Sequence, residues 1–176
     1  MQARSDGFNL FFAQIQHEAL CAVAEHWDDA RGENRMPGWS HIDPTKIVKH
    51  LPIIWSWRYD RTTGIFTGRL SGEAITEAFG RSLRGFSMQD FFPADSYPVV
   101  YARHHKVVVD PCFSRDHGAV FRHVDRIGTG ERIILPLADD GETGDGLIGA
   151  TVYDMTQAVS GAPVQFAFDD LEFFPL

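Results

Sequence analysis

The sequence of 176 residues is poor in cysteine, in basic residues and in long apolar runs, and each shortage argues against a class of protein. Two cysteines, Cys21 and Cys112, make no disulfide framework, and we expect both to be reduced, buried thiols. Lys and Arg number 16 against 24 Asp and Glu, giving a net charge of −8 that argues against a nucleic-acid surface. Because polar residues interrupt the apolar stretch near the N-terminus, we expect no signal peptide, no membrane span and a cytoplasmic protein.

Motifs that carry chemistry are equally scarce. Gly128-Thr129-Gly130 lacks the third glycine and the following helix of a phosphate-binding loop, so a hairpin turn is the better interpretation. The acidic residues from Asp139 to Asp145 lack the full calcium-loop pattern, and Cys112 and His117 have poor zinc spacing. No nucleophile with its base and no paired carboxylates stand out. We therefore assign no catalytic residue and no metal ligand.

An apolar stripe near the N-terminus is the clearest helical pattern. From Phe8 to Trp27, apolar side chains recur every three or four residues, which predicts one amphipathic helix capped by Ser5 or Asp6. With the polar connector that follows, this helix makes up a first segment, residues 1–36. We expect it to serve as a dimerisation or signal-coupling element.

Two apolar runs around an acidic turn predict the last two strands of an antiparallel sheet. The runs are Ile133–Ala138 and Leu147–Tyr153, and the turn is Asp139-Asp140-Gly141. Both pleat faces of the first run are apolar, so each face must be covered. We expect the N-terminal helix to cover the face opposite the other helices.

The order of the remaining elements narrows the fold. Ile53–Tyr59 and Ile65–Leu70 predict a hairpin, and the segment Ser71–Val109 is mostly helical in pattern. Strand patterns return at Cys112–His117 and around residues 120–127, where the register stays open.

This order, one helix, two strands, several short helices and then strands, is that of a PAS domain. Blocks of the sequence also resemble a bacterial family of single-domain PAS-like proteins: Asp43–Trp55, Arg69–Gly72, Phe79–Gly85, Leu135–Gly141 and Leu147–Ala150. The resemblance covers about residues 37–154. It implies an α+β fold, a five-stranded antiparallel sheet with helices on one face, in addition to the N-terminal helix. Residues 155–176 show no clear period and are left as an irregular C-terminal tail.

The resemblance implies a sensory or protein-interaction module of intracellular signal transduction. The aromatic residues of the helical segment and the first strand either line a cavity for a small organic ligand between sheet and helices or simply form the core. Nothing resembles a kinase, a cyclase or a DNA-binding helix-turn-helix, so a signal would leave by contact with another protein. The expected partners are a second copy of the chain or a signalling protein, with no nucleic acid and no membrane. We choose mainly aromatic residues for the ligand site: Trp57, Arg69, Phe79, Phe91, Tyr101 and His104.

No cofactor is assigned. Some PAS domains hold haem through a helix histidine, and His104 and His105 lie in a predicted helix. Adjacent helix residues point about 100° apart, so at most one of the two faces the interior, and nothing else supports haem. The segment Ser71–Val109 contains no cysteine, which excludes the flavin adduct of light-sensing PAS domains. A carboxylate or phosphate could bind where arginines converge, the candidates being Arg69, Arg81, Arg84 and Arg103.

The rival interpretation is a small α+β cone enzyme of the ketosteroid-isomerase type, in which a carboxylate or histidine moves a proton. That fold usually begins with long helices and ends in long curved strands. Here the hairpin of residues 53–70 precedes most of the helices, which favours the PAS interpretation. The discriminating observation is whether a carboxylate or an imidazole points into the interior between helices and sheet.

Overall fold

A computed structural model describes residues 4–123, 126–158 and 171–176, in which a six-stranded sheet carries helices on both faces. The strands are β1 (Ile54–Asp60), β2 (Ile65–Ser71), β3 (Cys112–His123), β4 (Arg126–Leu137), β5 (Gly146–Ala158) and β6 (Glu172–Pro175). They pair antiparallel in the order β2-β1-β5-β4-β3-β6. The helices are α1 (Asp6–Gln14), α2 (Glu18–Arg31), α3 (Glu73–Phe79), α4 (Met88–Phe91) and α5 (Tyr97–Val109), with short 3-10 turns at Trp39–His41 and Val48–Ile53. The α+β class with an antiparallel sheet is confirmed.

The two faces of the sheet are covered by different helices. Ile133 of β4 belongs to the apolar core under α1 and α2, and its neighbour Ile134 belongs to the core under α3, α4 and α5. We call these the N-terminal face and the α5 face. On the N-terminal face, Phe11 stacks on Phe113 at 4.9 Å between ring centres, and the Trp27 indole donates to the Pro136 carbonyl at 2.8 Å. The expectation that the N-terminal segment covers the opposite face is confirmed, within one chain.

The predicted N-terminal helix is two helices, and this corrects the sequence-based expectation. The stripe from Phe8 to Trp27 is interrupted at residues 15–17, between α1 and α2, although Ser5 caps the first helix as expected. The sequence there contains neither Pro nor Gly. The break is instead stabilised by the Glu131 carboxylate of β4, which accepts hydrogen bonds from the backbone N–H groups of Gln16 and His17 at 2.9–3.1 Å. A partner more than a hundred residues away therefore supplies the interruption.

The sheet has one strand more than the five expected, and the C-terminal segment is not irregular throughout. Residues 155–158 continue β5, and β6 pairs with the start of β3. Phe174 of β6 packs against Phe11, 5.7 Å between ring centres. A four-residue edge strand that ends in Pro175 is too short to give a visible period, which is why its pattern is missed.

Two turn expectations have opposite outcomes. Gly80 and Gly85 lie at φ +70° and +83°, which confirms them as positions where the backbone favours glycine. Gly128-Thr129-Gly130 lies inside β4 rather than in a hairpin turn, and this corrects the earlier interpretation. The connection between β3 and β4 falls at residues 124 and 125, outside the described residues.

Candidate functional site

A row of polar side chains crosses the α5 face. In the strand register Asp116 of β3 lies opposite Arg132 of β4, and Arg132 lies opposite Thr151 of β5. Residues directly opposite each other in an antiparallel pair point to the same face. Because Arg132 is two residues from Ile134, that shared face is the one covered by α5. The sheet therefore lines up three polar residues from three adjacent strands beneath the helices.

Trp55 of β1 extends the polar row by one more strand. Its indole Nε1 donates to Thr151 Oγ1 at 2.9 Å, and Arg132 Nε donates to the same oxygen at 3.3 Å. Trp55 lies opposite Gly149 of β5 in the register, and a Cβ added at Gly149 would overlap the indole ring. Glycine at position 149 thus allows the ring to lie against the sheet while its N–H reaches Thr151.

Arg103 of α5 contacts the polar row from the helix that covers it. Its Nη1 donates to Asp116 Oδ2 at 3.0 Å, and Arg132 Nη1 donates to the same oxygen at 3.3 Å. All three side chains are less than a tenth exposed. Burying charged groups is costly unless they are paired and hydrogen-bonded. One carboxylate oxygen of Asp116 therefore joins β3 both to α5, through Arg103, and to β4, through Arg132.

The row is incomplete in its hydrogen bonding. Three buried side-chain atoms have no hydrogen-bond partner among the described residues: Arg103 Nε, Ser114 Oγ and Asp116 Oδ1. Ser114 precedes Asp116 by two residues on β3, so it lies on the same face. An unsatisfied buried polar group costs about 1–3 kcal/mol, and buried polar groups in folded proteins are nearly always bonded. Three such atoms in one cluster mark a place where other polar atoms are needed.

Burial changes the ionisation of two residues on α5. It lowers the pKa of Arg103 to about 10; Asp116 opposes this change and the like charge of Arg132 adds to it. Burial, together with Arg103 and Arg132, also holds the pKa of His104 well below its ordinary value, against the opposing effect of the Val100 carbonyl. A neutral His104 donates from Nδ1 to that carbonyl at 2.7 Å, which leaves Nε2 as an acceptor.

The residues predicted for the ligand site mostly lie on the α5 face. Trp57 and Phe79 both contact the Phe91 ring, with centres 5.9 and 5.2 Å apart. Tyr101 donates its hydroxyl to the Gly64 carbonyl at 2.9 Å, and its ring packs in the same apolar core.

The remaining two residues predicted for the ligand site, His104 and Arg69, lie in different parts of the structure. The His104 ring lies 5.4 Å from the Trp55 ring, beside the polar row. Arg69 lies elsewhere, with its guanidinium 4.8 Å from the centre of the Trp39 ring, and Trp39 packs against the core of the N-terminal face. The structure therefore brings His104 to the polar row and leaves Arg69 away from it.

The four arginines considered from the sequence as an anion site do not converge. Arg81 donates to the Phe91 carbonyl, and Arg69 lies over Trp39. Only Arg103 of the four joins the polar row, where it meets Arg132, a residue that the sequence did not single out. The sequence also missed further members of the row: Trp55, Ser114, Asp116 and Thr151. Charged residues inside strands were a signal, but without the register of β3 and β4 they could not be paired.

The polar row does not resemble the site of a cone-type isomerase. Asp116 and His104 are the carboxylate and the imidazole found here, but Asp116 is bound by two guanidiniums rather than held in an apolar pocket. His104 is a weak base because its pKa is depressed. Across the described residues, no group of three or more His, Cys, Asp and Glu side chains is placed to hold a metal ion.

Comparison with known protein families shows which family the chain is similar to. A family model described as a PAS domain matches residues 15–152, which is most of the chain. No curated protein and no solved structure matches the chain. The match begins after α1 and ends before β6, two elements that pack against each other, and it includes every member of the polar row. None of the helices in the described ranges is both long enough and apolar enough to cross a membrane.

Proposed function

The chain belongs to the PAS domain family, and on that premise we propose that it is a signal-transduction module that holds a small organic ligand between α5 and the sheet. Family membership supports the coarser statement, a sensory or protein-interaction module. The division predicted from the sequence, with a PAS-like domain at residues 37–154, remains a prediction, as do the cytoplasmic location, the bacterial origin and the dimer.

One observation carries the ligand proposal. Arg103 Nε, Ser114 Oγ and Asp116 Oδ1 are all buried on the α5 face and have no hydrogen-bond partner within the described ranges. Completing such a cluster with ligand atoms recovers hydrogen bonds that the described residues do not make. Small-molecule sites typically combine an apolar lining with a few converging polar groups, and the aromatic residues of the α5 face supply that lining.

We infer that the module binds its ligand rather than transforming it. A general base must be able to accept a proton from the substrate. Asp116 is held by two guanidiniums, and the depressed pKa of His104 makes it a poor base. Incubation of candidate ligands with the protein should therefore return them unchanged, as checked by mass spectrometry; a product that accumulates with turnover would contradict this part of the proposal.

A route for the signal follows from strand alternation. Arg115 and Asp116 are consecutive on β3, and Glu131 and Arg132 are consecutive on β4, so each strand carries one charge to each face. On the N-terminal face Glu131 holds the start of α2. We propose that a ligand that repositions Asp116 or Arg132 alters the docking of α1 and α2, which a second copy or a signalling protein then contacts.

The test is native mass spectrometry of freshly purified protein, followed by thermal shift against metabolites that include acids, neutral compounds and amines. A ligand that binds only the folded state raises the melting temperature. The proposal expects a non-covalent adduct, or a rise in melting temperature with at least one compound. A folded protein that carries no adduct and responds to none of the three classes would overturn ligand binding.

A further inference from the structure

We propose that the ligand is a small organic carboxylate with a hydroxyl or N–H donor next to the carboxylate, bound by Arg103, Ser114 and Asp116. This inference rests on the proposed ligand site and names the chemistry that it recognises. The three buried atoms without a described partner determine which hydrogen-bond donors and acceptors the ligand must supply.

The carboxylate follows from Arg103. Its Nε–H is a donor without a partner among the described residues, so it needs an acceptor. Its ionic partner Asp116 also accepts from Arg132, and the charged form of Arg103 stays under-stabilised, as its lowered pKa of about 10 indicates. A negatively charged acceptor satisfies both needs, because hydrogen bonds from a guanidinium to a carboxylate are charge-assisted.

The adjacent donor follows from Asp116. Its Oδ1 is an acceptor that no described residue satisfies, and a second carboxylate placed against it would be repelled. A hydroxyl or N–H beside the ligand carboxylate can donate to Oδ1 while the carboxylate accepts from Arg103. Ser114 Oγ can donate or accept, so it is compatible with either part of the ligand. Acetate, which has no donor beside its carboxylate, fits these requirements less well than a hydroxy acid or an acylated amino acid.

The aromatic rings next to the three polar atoms favour a ligand whose remaining part is apolar. The Trp55 ring belongs to the polar row, the neutral ring of His104 lies 5.4 Å from it, and Phe66 lies 6.1 Å from His104. An apolar or aromatic body against these rings adds burial energy to the polar recognition. Two guanidiniums on this face disfavour a cationic ligand.

Three matched probes separate these features in calorimetric titration. Phenyllactate carries the carboxylate and the hydroxyl, phenylpropanoate lacks only the hydroxyl, and phenyllactamide keeps the hydroxyl but replaces the carboxylate with a neutral amide. Phenyllactate should bind most tightly, and each of the other two should bind roughly tenfold more weakly or worse. Phenylpropanoate leaves Asp116 Oδ1 without a donor, and phenyllactamide offers Arg103 only an uncharged acceptor. Equal affinity for phenyllactamide and phenyllactate would overturn the carboxylate.

Two buried serines supply the variants. Ser114→Ala removes a hydroxyl that has no described partner, so the protein should fold, and its affinity for phenyllactate should fall by about three- to tenfold. Ser56→Ala is the matched control, because Ser56 is equally buried but donates to the Leu147 carbonyl and lies outside the polar row. It should leave the affinity unchanged. Unaltered affinity in Ser114→Ala would contradict the site.

The outcomes also separate this inference from the proposed function. If a neutral compound or an amine raises the melting temperature and no carboxylate does, the ligand class is wrong while ligand binding stands. If no compound of any class binds and only water completes the cluster, both proposals fail.

Discussion

The two faces of the sheet each bury a cluster of charges, built from consecutive residues of the same two strands, and they differ in how far the clusters are completed. On the N-terminal face, each carboxylate oxygen of Glu131 accepts from two donors, drawn from Arg115, Gln16 and His17. On the α5 face, Asp116 has one oxygen shared by two guanidiniums and one without a described partner. The first cluster is closed by the chain itself, and the second is open.

This difference separates a structural role from a binding role. Arg115 reaches both Glu131 and Glu172, so the closed cluster ties α2, β3, β4 and β6 together. The open cluster ties α5 to β3 and β3 to β4, and three of its buried atoms have no hydrogen-bond partner among the described residues. A buried charge network that is fully satisfied rigidifies a fold, whereas a partly satisfied one is costly unless something else completes it.

The largest expected effect is on the closed cluster. Glu131→Gln removes the charge that pairs with buried Arg115, and breaking a buried ion pair by changing one partner costs several kcal/mol. We expect a loss of about 3 kcal/mol in the free energy of unfolding, measured by urea denaturation. The matched control is Glu172→Gln, whose side chain is 45% exposed and whose loss should cost less than about 1 kcal/mol. Equal effects of the two variants would show that the cluster is not the tie we describe.

A pH titration compares one buried histidine from each face. Burial lowers the pKa of His104 and, less strongly, that of His26, which accepts from the Asp43 N–H. Because the folded pKa lies below the unfolded value of 6.5, the unfolded chain takes up the proton first, and stability is lost as the pH falls below that value.

The two histidines are separated by variants that keep their hydrogen bonds. His104→Asn retains a donor near Val100, and His26→Gln retains an acceptor for Asp43. Between neutral pH and about pH 5, the free energy of unfolding of the wild type should fall as the pH falls. His104→Asn should reduce the slope of this fall by up to about 1.4 kcal/mol per pH unit, and His26→Gln should reduce it by less. A wild-type slope in His104→Asn would argue against a neutral buried His104.

The smallest expected effect compares the two serines for stability. Ser56→Ala breaks a buried hydrogen bond to the Leu147 carbonyl and should cost about 1 kcal/mol. Ser114→Ala removes a buried hydroxyl that has no partner among the described residues, so in ligand-free protein the free energy of unfolding should stay the same or rise. Urea denaturation of both variants checks this. A loss in Ser114→Ala as large as that in Ser56→Ala would mean that the hydroxyl already has a partner.

Local patterns in the sequence predicted much of the fold. Alternating or continuous apolar residues predict the strands β1, β2, β4 and β5. Glycine at positions 80 and 85 predicts turns from residue type alone. Coverage of both sheet faces followed from the apolar character of Ile133 and Ile134. These features depend on neighbours along the chain, so a single sequence suffices for them.

The missed features depend on residues far apart in the chain. The break between α1 and α2 is stabilised by Glu131, and β6 forms by pairing with the start of β3. The polar row requires the register that sets Asp116 opposite Arg132, and a shift of one residue would send Arg132 to the other face. The aromatic residues chosen from the sequence therefore lie on the α5 face, and their role in binding stays a prediction. Of the polar residues beside them, the sequence singled out Arg103 and His104 but not Ser114 or Asp116.

The most direct test of the open cluster is the NMR signal of the arginine Nε–H groups, recorded during titration with phenyllactate. Arg103 Nε has no described partner, whereas Arg115 Nε donates to Glu131 at 2.6 Å. Our account predicts that the Arg103 Nε–H signal shifts and saturates with the calorimetric affinity while the Arg115 signal stays in place. Binding of phenyllactate that leaves the Arg103 signal unmoved, or that moves both signals equally, would contradict it.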